Sequence, residues 1–372
     1  MINLLVLRNV VHLYYSRAPM TPTNELELGQ EHLPATEEHA IAEIIQLSKD
    51  LLNKSTDPVQ RQQHPKSHGC VKAEFIVEEV PEHLKFGIFK HPRSYHAWVR
   101  FSNGSANVQP DTKGDVRGMA IKLLGVPGEK LLEDERDAET QDFILINHPS
   151  LFLQDAQDTL AISKALLAVK KMPVSFLKPL PFLLMYAPSH RKQVGILKTI
   201  RQKQMANPLQ AQYWSTTPYR LGLSAIKFST LPRDLPSAGV EELASQSENF
   251  LREAMVQQLS QQDVHFDFVV QVQTDAARMP IEDASVEWSD AESPFIKVAT
   301  IKIQQQQFDS EARRTFDENL SFNPWHALPD HRPLGGVNRL RKEVYQAISK
   351  VRHGLNQQLR QEPTEAEFNS HT

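Results

Sequence analysis

Residues 37 to 54, EEHAIAEIIQLSKDLLNK, carry apolar side chains at helical spacing: Ile41, Ile44, Ile45, Leu47, Leu51 and Leu52 make one stripe. Shorter apolar runs with another rhythm follow. AEFIVEEV, HAWVRFS, GMAIKLLGV and QDFILINHP read as strands, and residues 151 to 206 read as mostly helical. A second strand set comes after: YRLGLSAIKFSTL, VHFDFVVQVQT and FIKVATIKIQ. In VHFDFVVQVQ apolar and polar positions alternate over much of the length, as on a half-buried strand. Strands and helices do not alternate as in a parallel sheet. The strands form two groups around a helical insert, which predicts an α+β chain with a large antiparallel sheet or barrel and added helices.

This pattern divides the chain into an N-terminal arm and linker (1–36), a folded unit (37–354) and a polar tail (355–372) expected to fray. The opening MINLLVLRNVVHLYYSR is apolar but broken by Arg8 and His12, too short and interrupted to span a bilayer. It reads as a packing arm, with an interfacial anchor on a membrane surface as the alternative. PVSFLKPLPFLLMYAP, residues 173 to 188, is apolar too, but its four prolines and one lysine argue against a spanning helix. It reads as the lining of a hydrophobic access path or as a packed loop.

Composition narrows the chemistry. With 372 residues, 40% of them apolar, the chain is long enough for a sizeable core. A net charge of −4 without a large basic block argues against a nucleic-acid partner. The single cysteine, Cys70, excludes an internal disulfide and a Cys-based zinc site, and it fits a reducing compartment such as the cytoplasm. A homo-oligomeric state is left open.

Two stretches carry candidate chemistry. VNRLRKEVYQAISKVRHG, from residue 337, predicts a helix over 338–354 with Leu340, Val344, Ala347, Ile348 and Val351 on one stripe. Arg341, Tyr345 and Arg352 fall on a second stripe beside it, within about 40° of one another. A tyrosine between two arginines is either a phenolate held by cations or a half-exposed side chain on an amphipathic helix. Ionising a phenol at neutral pH takes about 4 kcal/mol, which cations and a metal ion can supply. The second stretch is RQQHPKSHG, residues 61 to 69. Its His64 and His68 read as metal ligands, as a catalytic base, or as a polar loop ahead of a strand.

Arg341, Tyr345 and Arg352 have the spacing of the proximal haem motif of the catalase family, which this segment resembles. LSFNPWHALPDHRPLGG, residues 320 to 336, looks like the lead-in to that helix. RQQHPKSHG is similar to the family's distal R-x-x-H-x-K-x-x-G through Arg61, His64, Lys66 and Gly69. VRFSNGSAN (99–107) resembles its V-R-F-S strand, DVRGMAIK (115–122) its D-x-R-G-x-A-x-K, and DFILINHP (142–149) the strand that delivers its distal asparagine. The matches run in the family's order from about residue 58 to 354.

The resemblance implies an eight-stranded antiparallel barrel with helices around haem b and its iron. Tyr345 would be the proximal iron ligand, and Arg341 would stabilise its phenolate. His64 would move a proton between peroxide oxygens, with Ser102 fixing its imidazole and Asn147 bonding the peroxide. Arg61, Arg100 and Arg352 would pair with haem propionates. His68 has no place in that pattern and is expected to be a loop or supporting residue. Gln63 stands where the family has an apolar side chain, and a gapless match puts Ile146, not Asn147, at the asparagine position. The resemblance ends with the proximal helix, so the helical domain that follows it in full-length catalases is not expected here. The implied activity is that of a haem oxidoreductase acting on hydrogen peroxide or organic hydroperoxides, as a catalase or a peroxidase. The alternatives are a fatty-acid hydroperoxide isomerase or lyase of the allene oxide synthase type, and a non-enzymatic haem-binding protein.

Overall fold

The computed structural model describes residues 27–173, 177–233 and 247–370. The apolar opening segment lies outside the described residues. Nine strands form the sheet: β1 (Ser67–Val77), β2 (Arg93–Asn103), β3 (Arg117–Leu124), β4 (Thr140–Ile146), β5 (Tyr213–Trp214), β6 (Tyr219–Leu221), β7 (Ser224–Pro232), β8 (Val264–Val272) and β9 (Ile296–Ile303). Their order is β5-β4-β3-β2-β1-β9-β8-β7-β6, and a further pairing of β5 with β7 closes eight of them into an antiparallel barrel. The helices are α1 (Glu37–Leu51), α2 (Ala156–Lys171), α3 (Pro179–Pro181), α4 (Arg191–Gln202), α5 (Phe250–Leu259), α6 (Glu311–Asn319), α7 (Gly336–Leu355) and α8 (Glu365–Ser370). The expected α+β barrel and the helical insert between strand groups are both present.

Strand periodicity sorts the side chains between two faces. Val99 and Phe101 of β2, Met119 and Ile121 of β3, and Phe143 and Leu145 of β4 belong to the buried core inside the barrel. Four phenylalanines from four strands meet there. Phe268 lies 5.1 Å from Phe75, 5.1 Å from Phe143 and 5.4 Å from Phe228, centroid to centroid. Edge-on and offset contacts of this kind add to the gain from burying large rings. The barrel is therefore filled, and a ligand must sit outside it.

Helix α7 lies against that outside wall. Of its predicted apolar stripe, Leu340 and Ile348 are buried and Val344, Ala347 and Val351 half-buried: Leu340 packs with Ala40, Ile44 and Leu47 of α1 and with Ala156 and Leu160 of α2. Ile348 packs with Leu52 and Val59. Arg339 pins the start of the helix, donating from Nε to Glu37 (2.5 Å) and from Nη1 and Nη2 to Glu31 (2.7 Å) and Glu282 (2.8 Å). Glu31 falls in the segment read as a linker, so residues just before α1 are tied to α7 rather than loose.

The C-terminal segment does not fray as expected. Phe368 of α8 is buried with Cys70, Trp98 and Leu320, and Glu362 accepts from the buried Lys122 at 2.6 Å. Most of its polar side chains are exposed, while Glu362 and Phe368 tie the segment to the barrel wall. No helix among the described residues is long and apolar enough to cross a membrane.

The barrel core generates one expectation. Phe268 touches three rings, so Phe268→Ala leaves a void and should destabilise the fold by about 3–5 kcal/mol. Equilibrium denaturation in urea checks it. A loss under about 1 kcal/mol would mean that the core collapses around the void, against the close packing described.

Candidate functional site

The outer face of β2, β3 and β4, the segment before β1 and one face of α7 enclose a cleft with about 960 Å³ of free space, mouth included. The register brings its wall together. Ser102 of β2 pairs with Gly118 of β3, which pairs with Ile146 of β4, so the three form one row across the sheet. Arg100, Ala120 and Ile144 form the next row on the same face. All six line the cleft. From α7 come Arg341, Val344, Tyr345, Ile348 and Arg352, and from the loop before β1 come Arg61, Gln63 and His64. Seven of the eight residues singled out from the sequence thus share one cleft.

His64 is held there by its backbone and its ring. Its φ of 58° is left-handed, a conformation that costs a residue with a side chain about 1–2 kcal/mol. The carbonyl of His64 accepts from Arg100 Nη2 at 2.9 Å, which fixes the turn. Ring Nδ1 lies 2.9 Å from Ser102 Oγ. Gly118 makes room for the imidazole: a Cβ at that position would stand 2.7 Å from His64 Cε1 and Nδ1. Burial, with Arg100, Arg341 and Arg61 close by, pulls the imidazole down to about 3. His64 is neutral at physiological pH, and a neutral imidazole can accept a proton.

Positive charge gathers at one side of the cleft. Arg61 donates to the carbonyls of Asp317 (2.6 Å) and Leu320 (2.5 Å), Arg100 Nε to Asp317 Oδ1 (2.5 Å), and Arg352 bonds to Glu318. Three guanidiniums thus face two carboxylates of α6, and one positive charge is left over. Arg341 adds another, with its Nη1 on the neutral Thr217 Oγ1 at 3.2 Å. The strain of this crowding shows in the ionisation. Burial and the adjacent Arg100 bring Arg61 down to about 9. Burial alone would raise the Asp317 carboxyl, but Arg100 and Arg61 outweigh it and hold it below its ordinary value. Such a cluster has unused capacity for an anion.

Tyr345 stands one helical turn beyond Arg341, and its neighbours Val344 and Ile348 give the cleft an apolar floor. The whole arrangement offers a phenol oxygen, a neutral imidazole, apolar walls and surplus cations. It suits a flat apolar ligand that carries carboxylates and an ion able to take a hard oxygen donor.

Asn147 is placed apart from these groups. Its Oδ1 accepts from the backbone nitrogen of Arg117 at 2.7 Å and its own nitrogen bonds back to the Arg117 carbonyl, while Ile146 takes the position on the cleft wall. The one-residue offset in the sequence match becomes a reversal of face at the end of β4. His68 is buried behind the cleft, with Nε2 2.7 Å from Asn103 Oδ1, and burial lowers it to about 3. It lies on β1 beside the register shift between Ser67 and Gly69, and it does not line the cleft.

Sequence reading missed Asp317 and Glu318, the counter-charges of α6, and Thr217 and Asn338, which hold Arg341. Nothing in their local pattern separates them from ordinary surface residues. A possible metal-ligand trio, Glu135, His326 and Glu362, lies elsewhere, its atoms within 4.8 Å of one another. Lys122 sits 2.6 Å from Glu362 and Arg360 pairs with Glu135, so these carboxylates already have cations.

The sequence matches no protein-family profile and no curated protein. Solved structures do resemble the fold. A bacterial catalase superposes with a TM-score of 0.59 at 17% identity, covering 90% of this chain and 64% of its own. A fungal catalase gives 0.63 at 15% identity, covering 92% and 69%, and catalase A from Saccharomyces cerevisiae gives 0.60 at 16% identity, covering 90% and 68%. This chain thus spans about two thirds of the length of each. A closed eight-stranded antiparallel barrel with a long helix against its outer wall is the fold of catalases, and this chain has that fold.

Proposed function

We propose that this chain binds haem b in the cleft between α7 and the barrel wall and acts on peroxides. The observation that supports it most is that Tyr345 and His64, 281 positions apart in sequence, line one cleft whose other charged groups are all arginines. Haem b is flat, mostly apolar and carries two carboxylates, so it fits the apolar walls and the unspent charge of Arg61, Arg100 and Arg352. Tyr345 would hold the iron through its phenol oxygen. When bound, the haem iron would supply the redox chemistry of O–O cleavage.

The chain's own residues handle the proton. If Nδ1–H donates to Ser102 Oγ, ring Nε2 keeps a lone pair for the proton of a peroxide in the cleft. With haem bound to supply the two electrons that O–O cleavage consumes, His64 would take that proton from one peroxide oxygen and return it to the other, so that the departing oxygen leaves protonated, as water or an alcohol. Asn147 is engaged with Arg117 and has no part in this proposal. Dismutation of hydrogen peroxide and oxidation of an organic donor both use these groups. Carriage of haem alone would not need a neutral base held by Ser102.

Three outcomes test the reading. Tyr345→Phe should lower haem affinity by at least about tenfold and change the ferric absorption spectrum. An unchanged spectrum and affinity would remove Tyr345 as ligand. His64→Ala should keep the haem and lose about 10²- to 10⁴-fold in peroxide consumption. Isomerisation of a lipid hydroperoxide with no donor would instead point to the second enzyme class. The ring carbon of ¹³C-labelled His64 should show no titration from about pH 8 to about pH 5, because a value near 3 leaves it neutral throughout. An inflection near the ordinary value of about 6.5 would contradict the buried, cation-flanked setting.

A further inference from the structure

We propose that the surface around Pro179–Tyr186 docks on an anionic lipid surface. This goes beyond the haem reading and does not depend on it. α3 runs into a turn over Phe182–Tyr186 that has two apolar faces. The inner face is anchored: Tyr186 donates to Asp158 Oδ1 at 2.7 Å and stacks on His190 at 4.1 Å between centroids. The outer face presents Leu183 (54% exposed), Leu184 (72%) and Met185 (53%) next to Leu180. A surface turn ordinarily points polar side chains outward. Here the residues with the most freedom to be polar are long aliphatic ones.

The stretch of chain that carries this tip has charge of one sign. From Thr159 to Arg233 the chain holds no aspartate or glutamate, although its net charge is −4. Lys171, Lys178, Arg191, Lys198 and Arg201 are exposed and have no carboxylate partner among the described residues. Lys164 and Lys192 do have one, Glu43 at 2.9 Å and Asp283 at 3.9 Å. An apolar tip with unpaired cations before and after it in the chain matches an interface that is anionic at its surface and apolar beneath. Aliphatic side chains enter the acyl boundary while lysines stay at the headgroups. Each cation near such a surface strengthens binding by about fivefold, and the gain fades with salt.

Full-length protein sedimented with vesicles tests this. Binding should be at least about tenfold tighter to equal mixtures of phosphatidylcholine and phosphatidylglycerol than to pure phosphatidylcholine, and should weaken at high salt. Leu183→Ser with Leu184→Ser should cost about tenfold or more, and Lys171→Ser with Lys178→Ser a similar factor. Cys70 is buried, so Leu184→Cys can be labelled selectively with an environment-sensitive fluorophore. Its emission should shift to the blue on the anionic vesicles. Equal binding to both vesicles, undiminished binding of the double leucine variant, or binding without the emission shift would each overturn the proposal. The labelled chain decides the matter if the leucine variant does not fold. A label that shifts with an acidic protein but not with vesicles would also overturn it, in favour of a protein partner.

Discussion

More guanidinium than carboxylate is buried beside one cleft, and the site's architecture follows from keeping that charge in place. Arg61, Arg100 and Arg352 come from a loop, a strand and a helix far apart in sequence, and all three close on Asp317 and Glu318 of α6. Buried charges are tolerated only when paired and hydrogen-bonded, so these five side chains fix how α6 and α7 sit against the barrel. Arg100 also holds the carbonyl of His64 and so carries the left-handed turn that aims the imidazole. Removing one partner would disturb the charge balance and the base together.

The barrel supplies the flat wall against which this charge is organised. Because its interior is packed with phenylalanine, alternate residues of β2, β3 and β4 are left for the outer face. Small side chains at Ser102, Gly118 and Ala120 keep that face shallow, and Gly118 leaves space for the His64 ring. Helix α7 then completes the cleft with Arg341, Tyr345 and Arg352 and with Val344 and Ile348 of its apolar stripe, while Leu340 binds it to α1 and α2. One helix thus anchors itself and furnishes Tyr345.

Much of this was legible in the sequence, for physical reasons. The two stripes of α7 follow from a 3.6-residue period that leaves no freedom in which side chains share a face, and the helix observed exceeds the predicted one by two residues at its start and one at its end. The strand groups showed as apolar runs, and the residues at 61–64, 100–102 and 341–352 stood in recognisable spacings. Other features needed three dimensions. Asn147 depends on the face at the end of β4, which a one-residue offset reverses. Asp317 and Glu318 look like any acidic pair in EARRTFDEN until the wall arginines meet them. β5 is only two residues long, Tyr213–Trp214, yet it closes the barrel, and no periodicity can mark so short a strand. The C-terminal segment reads as a loose tail because Glu362 and Phe368 find their partners only in the folded chain.

The central claim is that haem occupies this cleft, with its iron on Tyr345 and its carboxylates on the arginine cluster. Crystals of the protein grown with haem, with anomalous diffraction recorded at the iron absorption edge, test it directly. The expected map has one strong iron peak within bonding distance of Tyr345 Oη on the side of the cleft floored by Val344 and Ile348, with the propionates among Arg61, Arg100 and Arg352. An iron peak elsewhere, or a cleft without iron in crystals of haem-saturated protein, would contradict it.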